Sequence, residues 1–152
     1  MADTIKTQVM KTLATVLAAG VPEVGIIERR EPIGVDLDKV RLPALYLYEE
    51  EESGRKANRL RLGIIRVEIA VFIKLIPKTK DPGYQTFYDL ADTIAARVYT
   101  AFQTSATLTG LVIMAEEDPR HKAVGHELFG QLILRYRISY GHAAGDAFTT
   151  NL

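Results

Sequence analysis

The chain has 152 residues, of which 47% are apolar, and its 19 Lys and Arg residues balance 19 Asp and Glu residues. These values are typical of one globular domain and exclude disorder along the whole chain. The absence of cysteine excludes a disulfide scaffold, a cysteine-type zinc site and a thiol nucleophile. Zero net charge removes the overall basic character of a nucleic-acid binder. Residues 1–20 contain no continuous apolar run, so we expect no signal peptide, no membrane contact and synthesis in the cytoplasm.

The first third of the chain predicts a helix followed by strands. Apolar residues recur at helical spacing from Ile5 to Leu17, with Asp3 or Thr4 as the cap and Gly20 as the stop. Residues 24–31 predict a short strand and residues 32–38 a loop. Residues 42–49 (LPALYLYE) are aromatic and aliphatic, and they predict a second strand.

A charged segment, which we define as residues 49–61, follows this strand. Four acidic residues precede Ser53-Gly54 and four basic residues follow it. These eight residues are Glu49, Glu50, Glu51, Glu52, Arg55, Lys56, Arg59 and Arg61. Like charges at this density repel each other, so we predict an exposed loop between two long strands. We take these eight residues as a candidate partner interface.

The remainder predicts a strand, a helix and two more strands. Apolar residues occupy every odd position from Ile65 to Leu75, which is the period of a strand with one buried face. Asp81-Pro82-Gly83 predicts the start of a helix whose apolar face runs from Phe87 to Phe102. A loop to Gly110, a strand over 111–116, a polar turn region over 118–125 and a long strand over 128–140 follow.

This order predicts an α+β fold, with two helices packed on one face of a mainly antiparallel β-sheet. We expect one domain over residues 1–141 and an extended C-terminal tail over residues 142–152. The opposite face and the edges of the sheet then need to be covered. In a ring of subunits, they would be covered by contacts with neighbouring copies.

The sequence contains no recognisable set of catalytic residues. We find no phosphate-binding glycine loop and no nucleophile elbow, and we predict no enzyme activity, no cofactor and no metal site. His121 and His126 with Asp118 or Glu117 form the best metal candidate, but their spacing matches no known ligand pattern and a solvated turn is favoured. The glutamate run lacks the ligand spacing of a calcium loop. The tyrosines of the strands, which are Tyr46, Tyr48, Tyr136 and Tyr140, favour core or interface packing.

Nearly the whole chain resembles the tail-terminator, or tail-completion, proteins of long-tailed phages. The segments that carry the resemblance are TLATVLAAG, PEVGIIERRE, RLPALYLYEEEE, IIRVEIAVFIKL, YDLADTIAARVYTAF, LVIMAEED and GQLILRYRISYG. The resemblance lies in this order of segments and not in a sharp motif, so it transfers no active-site residue.

The resemblance implies a structural virion protein that closes into a hexameric ring at the head-proximal end of the tail. Such a ring stops growth of the tail tube and provides the joining surface for the head and neck. The implied partners are further copies of the chain, the tail-tube protein and a head-completion or neck protein, with non-specific contact to DNA passing through the lumen. We hypothesise that Arg55, Lys56, Arg59 and Arg61 face a tube subunit or this lumen.

Two other classes remain open at the level of sequence. Another neck or connector component, or a tail-tube subunit, would also form rings from small α+β domains. A small-ligand-binding or enzymatic α+β domain is the less favoured alternative.

Overall fold

A computed structural model describes residues 3–36, 39–50, 62–74, 83–117, 122–125, 129–141, 146 and 148. Three helices and six strands lie in these ranges. In chain order they are α1 (Ile5–Gly20), β1 (Ile26–Glu28), β2 (Ala44–Glu49), β3 (Leu62–Lys74), α2 (Gly83–Thr104), α3 (Ala106–Thr109), β4 (Val112–Glu117), β5 (Lys122–Gly125) and β6 (Phe129–Gly141). The predicted α+β class is confirmed.

The strands form one sheet in the order β1-β2-β3-β6-β4, and β5 also pairs with β6. All pairs are antiparallel except β1 with β2, which run parallel. The two 13-residue strands β3 and β6 pair along their full length, from Leu62 opposite Gly141 to Lys74 opposite Phe129. Therefore β6, the last strand among the described residues, lies inside the sheet. The strand β1 lies at one end of the sheet, and β4 and β5 lie along the other.

The main core lies between the sheet and the helices. On β3 the odd positions from Ile65 to Ile73 are buried, and on β6 the even positions from Leu132 to Tyr140 are buried. Residues of α1 and α2 at helical spacing, such as Leu13 and Ile94, complete the same cluster. Both long helices thus lie on one face of the sheet, as the period-two and period-3.6 patterns predict.

The start of α1 is capped by Thr4 rather than Asp3. The Thr4 hydroxyl accepts a hydrogen bond from the backbone N–H of Thr7 at 3.2 Å, satisfying a donor that has no partner within the helix. Asp3 instead accepts from Lys11 Nζ at 2.6 Å. The helix ends at Gly20, where the close approach of α2 leaves room only for glycine, since a Cβ there would lie 2.6 Å from Ala101 Cβ.

The sheet face away from the helices is partly covered by the chain itself. Ala44, Tyr46, Ala70 and Phe72 form a second buried cluster, and apolar residues of the β1–β2 connection (Val35, Val40 and Leu42) pack on it. The expectation that this face needs an external cover is therefore wrong at this end of the sheet. The part of this face that the described residues leave uncovered carries charged side chains, Arg66 and Arg137 among them.

Two short elements differ from the sequence prediction. The expected loop before Gly110 contains α3, whose first turn is capped by the Ser105 hydroxyl accepting from Leu108 N at 3.2 Å. The expected polar turn over 118–125 contains β5, which pairs with the half of β6 that β4 leaves unpaired. The predicted tail lies outside the described residues, except for Asp146 and Phe148.

Candidate interaction surfaces

The charged segment begins at the end of β2, where the structure describes its first two residues. Glu49 lies on the helix face of the sheet and pairs with Lys6 of α1, with 2.6 Å between Oε1 and Nζ. The backbone N–H of Glu50 donates to Arg66 O at 2.8 Å, which extends the pairing of β2 with β3 by one residue. The other six predicted interface residues, from Glu51 to Arg61, lie outside the described residues. The structure therefore describes only the first two residues of this segment, and the role of the segment stays a prediction.

The part of the sheet that the described residues leave uncovered, which we call the open face, is rich in arginine. Arg66 on β3 lies directly opposite Arg137 on β6, and both are exposed. Two residues further along β3, on the same face, Glu68 lies opposite Arg135, with 3.7 Å between Glu68 Oε2 and Arg135 Nε. Like charges directly opposite each other on a sheet are unfavourable. In the same register Glu116 lies opposite Arg137 on the other side, so acidic positions flank the arginine pair.

Tyr48 lies between the open face and the covered end of the sheet. Burial raises the pKa of the Tyr48 phenol, and its hydrogen bond to Glu68 raises this pKa further, because ionisation would place two negative charges side by side. The Arg135 guanidinium opposes this effect. Arg135 Nε is itself buried, and within the described residues it has no hydrogen-bond acceptor. These three side chains form a polar boundary between the second cluster and solvent.

One end of the sheet, which we call the α2 flank, combines tyrosine with carboxylates. Tyr88 and Tyr99 are 46% and 48% exposed and lie eleven residues apart on α2, so they share one side of the helix about 16 Å apart. Asp92 lies between them and is exposed. The flank continues onto β4, because Gln103 Nε2 donates to Ala115 O at 2.9 Å and Glu117 is half-buried nearby.

Tyr136 lies behind the α2 flank. Its ring packs edge-to-face on Phe102, with 4.9 Å between ring centroids, and only 1% of the residue is exposed. Burial raises the pKa of the Tyr136 phenol, and the negative charge of Glu117 adds to this effect. Among the described residues, no group accepts from or donates to the Tyr136 hydroxyl.

The opposite end of the sheet, which we call the β1 flank, carries exposed charges of both signs, with Glu31 and Asp36 near three arginines in sequence, and an exposed aliphatic residue. Arg29, Arg30 and Arg41 are exposed here. The Arg41 side chain lies against Gly25 at the start of β1, because a Cβ on Gly25 would lie 3.0 Å from Arg41 Cδ. Ile33 is 73% exposed in the turn that follows β1.

Arg30 is held in place on this flank. Its Nε donates to Glu28 Oε2 at 2.5 Å, and its guanidinium carbon lies 5.7 Å from the centroid of the Tyr46 ring. The Glu28 carboxylate raises the pKa of Arg30, so its positive charge is retained at every physiological pH. Arg30 and Glu28 therefore form an ion pair on this flank, and the pair adds no net charge to it.

A shallow groove of about 460 Å³ lies on the outer side of α2, next to the end of α1. The residues around it are mostly small: Gly20, Asp92, Thr93, Ala96, Arg97, Thr100, Ala101 and Thr104. Arg97 at its rim is ion-paired with Glu23, which ties α2 to the segment after α1. The groove thus marks where the two helices join and offers few side chains for chemistry.

The residues considered for chemistry are only partly described. Ser105 caps α3 and Ser139 lies on β6, whereas Ser53 lies outside the described residues. Of the metal candidates only Glu117 is described, and His121, His126 and Asp118 are not. Within the described ranges no three His, Asp or Glu side chains are grouped for a metal ion.

No family model matches the chain, and no curated protein matches it. Among the described helices, none combines the length and apolar character needed to cross a membrane.

Proposed function

We propose that this protein is a phage tail terminator, which forms a ring on the head-proximal end of the tail tube, stops tube growth and joins the tail to the head or neck. The observation that supports this best is the order of elements. The seven segments that carry the resemblance coincide with α1, β1, β2, β3, α2, β4 and β6. The proposal thus rests on a pattern extending over nearly the whole chain.

The described surface is compatible with a ring subunit. A ring with cyclic symmetry needs two different surfaces on each subunit, because each contact joins one side of a copy to the other side of the next. The α2 flank carries exposed carboxylates and tyrosines, the β1 flank carries exposed charges of both signs, and the two flanks lie at opposite ends of the sheet. A subunit with two unlike ends supports the proposed assembly.

The direct test is electron microscopy of tails assembled with and without this protein. We expect tails of regulated length with one additional ring at the head-proximal end when it is present. Without it, we expect overgrown tubes that do not join heads. Tails of normal length that join heads in its absence would overturn the proposal. Stacked tubes formed by the purified protein alone would instead indicate a tail-tube subunit.

The charged segment gives a second test. We predict that reversing Arg55, Lys56, Arg59 and Arg61 to glutamate abolishes attachment of the ring to the tube, because a complementary acidic surface would then be repelled. The thermal unfolding midpoint should stay within about 2 °C, since exposed charges contribute little to stability. A matched control reverses Lys11 and Lys39, which are exposed elsewhere. Normal attachment by the quadruple variant would contradict the predicted role of this segment.

A further inference from the structure

The connection between β1 and β2 covers an aromatic surface of the sheet. We call its described residues, 29–36 and 39–42, the strap. Beneath the strap lie Tyr46 and Phe72, whose rings pack edge-to-face with 5.9 Å between their centroids. Both side chains are buried, although they lie on the sheet face away from the helices.

The apolar contacts of the strap account for this burial. Six partly buried apolar residues pack on the second cluster, and three of them belong to the strap: Val35, Val40 and Leu42. The other three lie on the neighbouring strands of the sheet itself. The strap is therefore the element that lies over this surface among the described residues.

Few interactions hold the strap in place. Among the described residues its backbone makes two backbone–backbone hydrogen bonds, and both join one strap residue to another. Its three apolar contact residues are all half-exposed. Its ion pairs, Arg30 with Glu28 and Lys39 with Asp36, are exposed to solvent, where such pairs contribute little to stability.

The strap is fixed to the sheet at its two ends and independent of it between them. At one end Glu28 pairs with Tyr46 in the register of β1 with β2, and at the other Gly25 N donates to Pro43 O at 2.9 Å. At Gly34 the backbone has a positive φ of 71°, and within the described residues no atom beyond its chain neighbours lies within 4 Å of an added Cβ. No strap residue belongs to the main core.

We propose that the strap opens by local unfolding while the sheet and the main core remain folded, which makes Tyr46 and Phe72 accessible in the native protein. Such an opening requires less free energy than global unfolding, because it releases few buried contacts and no pairing between strands. The strap is thus a cover that controls access to an aromatic surface. This opening needs no second copy and no tail, so it stands apart from the proposed function.

A thiol placed under the strap measures this opening. The chain contains no cysteine, so Ala70→Cys carries a single thiol within the second cluster. Ala91→Cys is the matched control, because Ala91 is buried in the main core. Labelling by a dilute aromatic disulfide reagent, when it is slower than reclosing, measures the equilibrium of opening. Circular dichroism checks folding, and Ala44→Cys probes the same surface if Ala70→Cys does not fold.

We expect the thiol of Ala70→Cys to be labelled at least about 100-fold faster than that of Ala91→Cys. The first rate should depend weakly on urea, since opening of the strap exposes little surface, whereas the control rate should rise steeply with urea. Equal rates with the same urea dependence would overturn the proposal, because both thiols would then be reached only through global unfolding.

Second substitutions show which segment opens. Val40→Ala should raise the labelling rate of Ala70→Cys about fivefold, because it removes apolar contact that holds the strap closed. Ile33→Ala is its control, since Ile33 is exposed in the same connection, and it should leave this rate unchanged. Ile5→Val should raise the labelling rate of Ala91→Cys about fivefold and leave that of Ala70→Cys unchanged, because it weakens only the main core.

Two results of these second substitutions would also overturn the proposal. If Val40→Ala leaves the labelling of Ala70→Cys unchanged, the strap is not the segment that opens. If Ile5→Val accelerates the labelling of Ala70→Cys as much as that of Ala91→Cys, the covered surface is exposed only when the main core unfolds.

Discussion

Gly130 lies on β6 directly under the ring of Phe87, and a methyl group there has no room. A Cβ on Gly130 would lie 2.1 Å from Phe87 Cε1, so the buried ring and part of α2 would have to move. We predict that Gly130→Ala lowers the free energy of unfolding by about 1–3 kcal/mol, measured by urea denaturation.

Gly110 provides the matched control. It has helical backbone angles, and its added Cβ would lie 3.5 Å from the nearest atom, which is ordinary van der Waals contact. We expect Gly110→Ala to leave stability unchanged or to raise it slightly, since alanine has fewer unfolded conformations. Equal losses for the two variants would show that packing beneath Phe87 is not the cause.

Tyr136 makes stability depend on alkaline pH. Below about pH 10 its phenol is protonated in both the folded and unfolded states, so it adds no pH dependence. Above that pH the unfolded chain releases the proton while the folded protein retains it, because burial raises the folded-state pKa. Stability is therefore lost as pH rises, by up to about 1.4 kcal/mol per pH unit from this group.

The corresponding variant is Tyr136→Phe. We predict a flatter decline of stability from about pH 9 to 11, together with little change at pH 7, where the removed hydroxyl has no described hydrogen-bond partner. Urea denaturation across this range measures both effects, and Tyr99→Phe, at a half-exposed position, is the control. A decline as steep as that of wild type would show that Tyr136 is not the group responsible.

At the scale of elements, α1 depends on its cap. We predict that Thr4→Ala lowers the free energy of unfolding by about 1 kcal/mol, because the Thr7 N–H loses its acceptor. Thr15→Ala is the control, since Thr15 is exposed within the same helix and alanine has the higher helix propensity. Thermal denaturation followed by circular dichroism compares the two, and an equal effect of both substitutions would argue against capping.

The sequence predicts the long elements well because their burial is periodic. Alternation over β3 and β6 and helical spacing over α1 and α2 each repeat several times, so a few exceptions do not obscure them. The parallel pairing of β1 was not predictable, since a three-residue strand has almost no period and does not show its direction. The second cluster was missed because Ala70 and Phe72 occupy positions that alternate with the buried ones and share a strand face with Arg66 and Glu68.

Some residues of the interaction surfaces could likewise be predicted from the sequence, and others could not. Tyr88 and Tyr99 could be found from sequence, because their eleven-residue spacing places them together beside the apolar stripe of α2. The arginine pair of the open face could not be found, since it depends on the register between β3 and β6. The β1 flank was even harder to predict from the sequence, because Arg41 is brought next to β1 only by packing against Gly25.

At the scale of the whole molecule, the sheet depends on β6, which pairs with β3, β4 and β5. We expect the residues after β6 not to be needed for folding. We predict that a chain truncated after Gly141 retains cooperative unfolding, because every strand and helix found in the described residues ends at or before that point. A chain truncated after residue 128 should lose it, since β3, β4 and β5 would all lose their shared partner. Near-ultraviolet circular dichroism and thermal melting distinguish the two, and non-cooperative melting of the longer chain would contradict the predicted 1–141 domain.

The central position of β6 also determines when the protein can fold during synthesis. Residue 69 pairs with residue 134, so the edge of β3 stays without its partner until the ribosome has released residues 129–141. Pairings between residues so distant in sequence form slowly, and nascent chains with unpaired strands are prone to aggregate. Production of this protein should therefore respond to slower translation and to chaperones that shield an unfinished sheet.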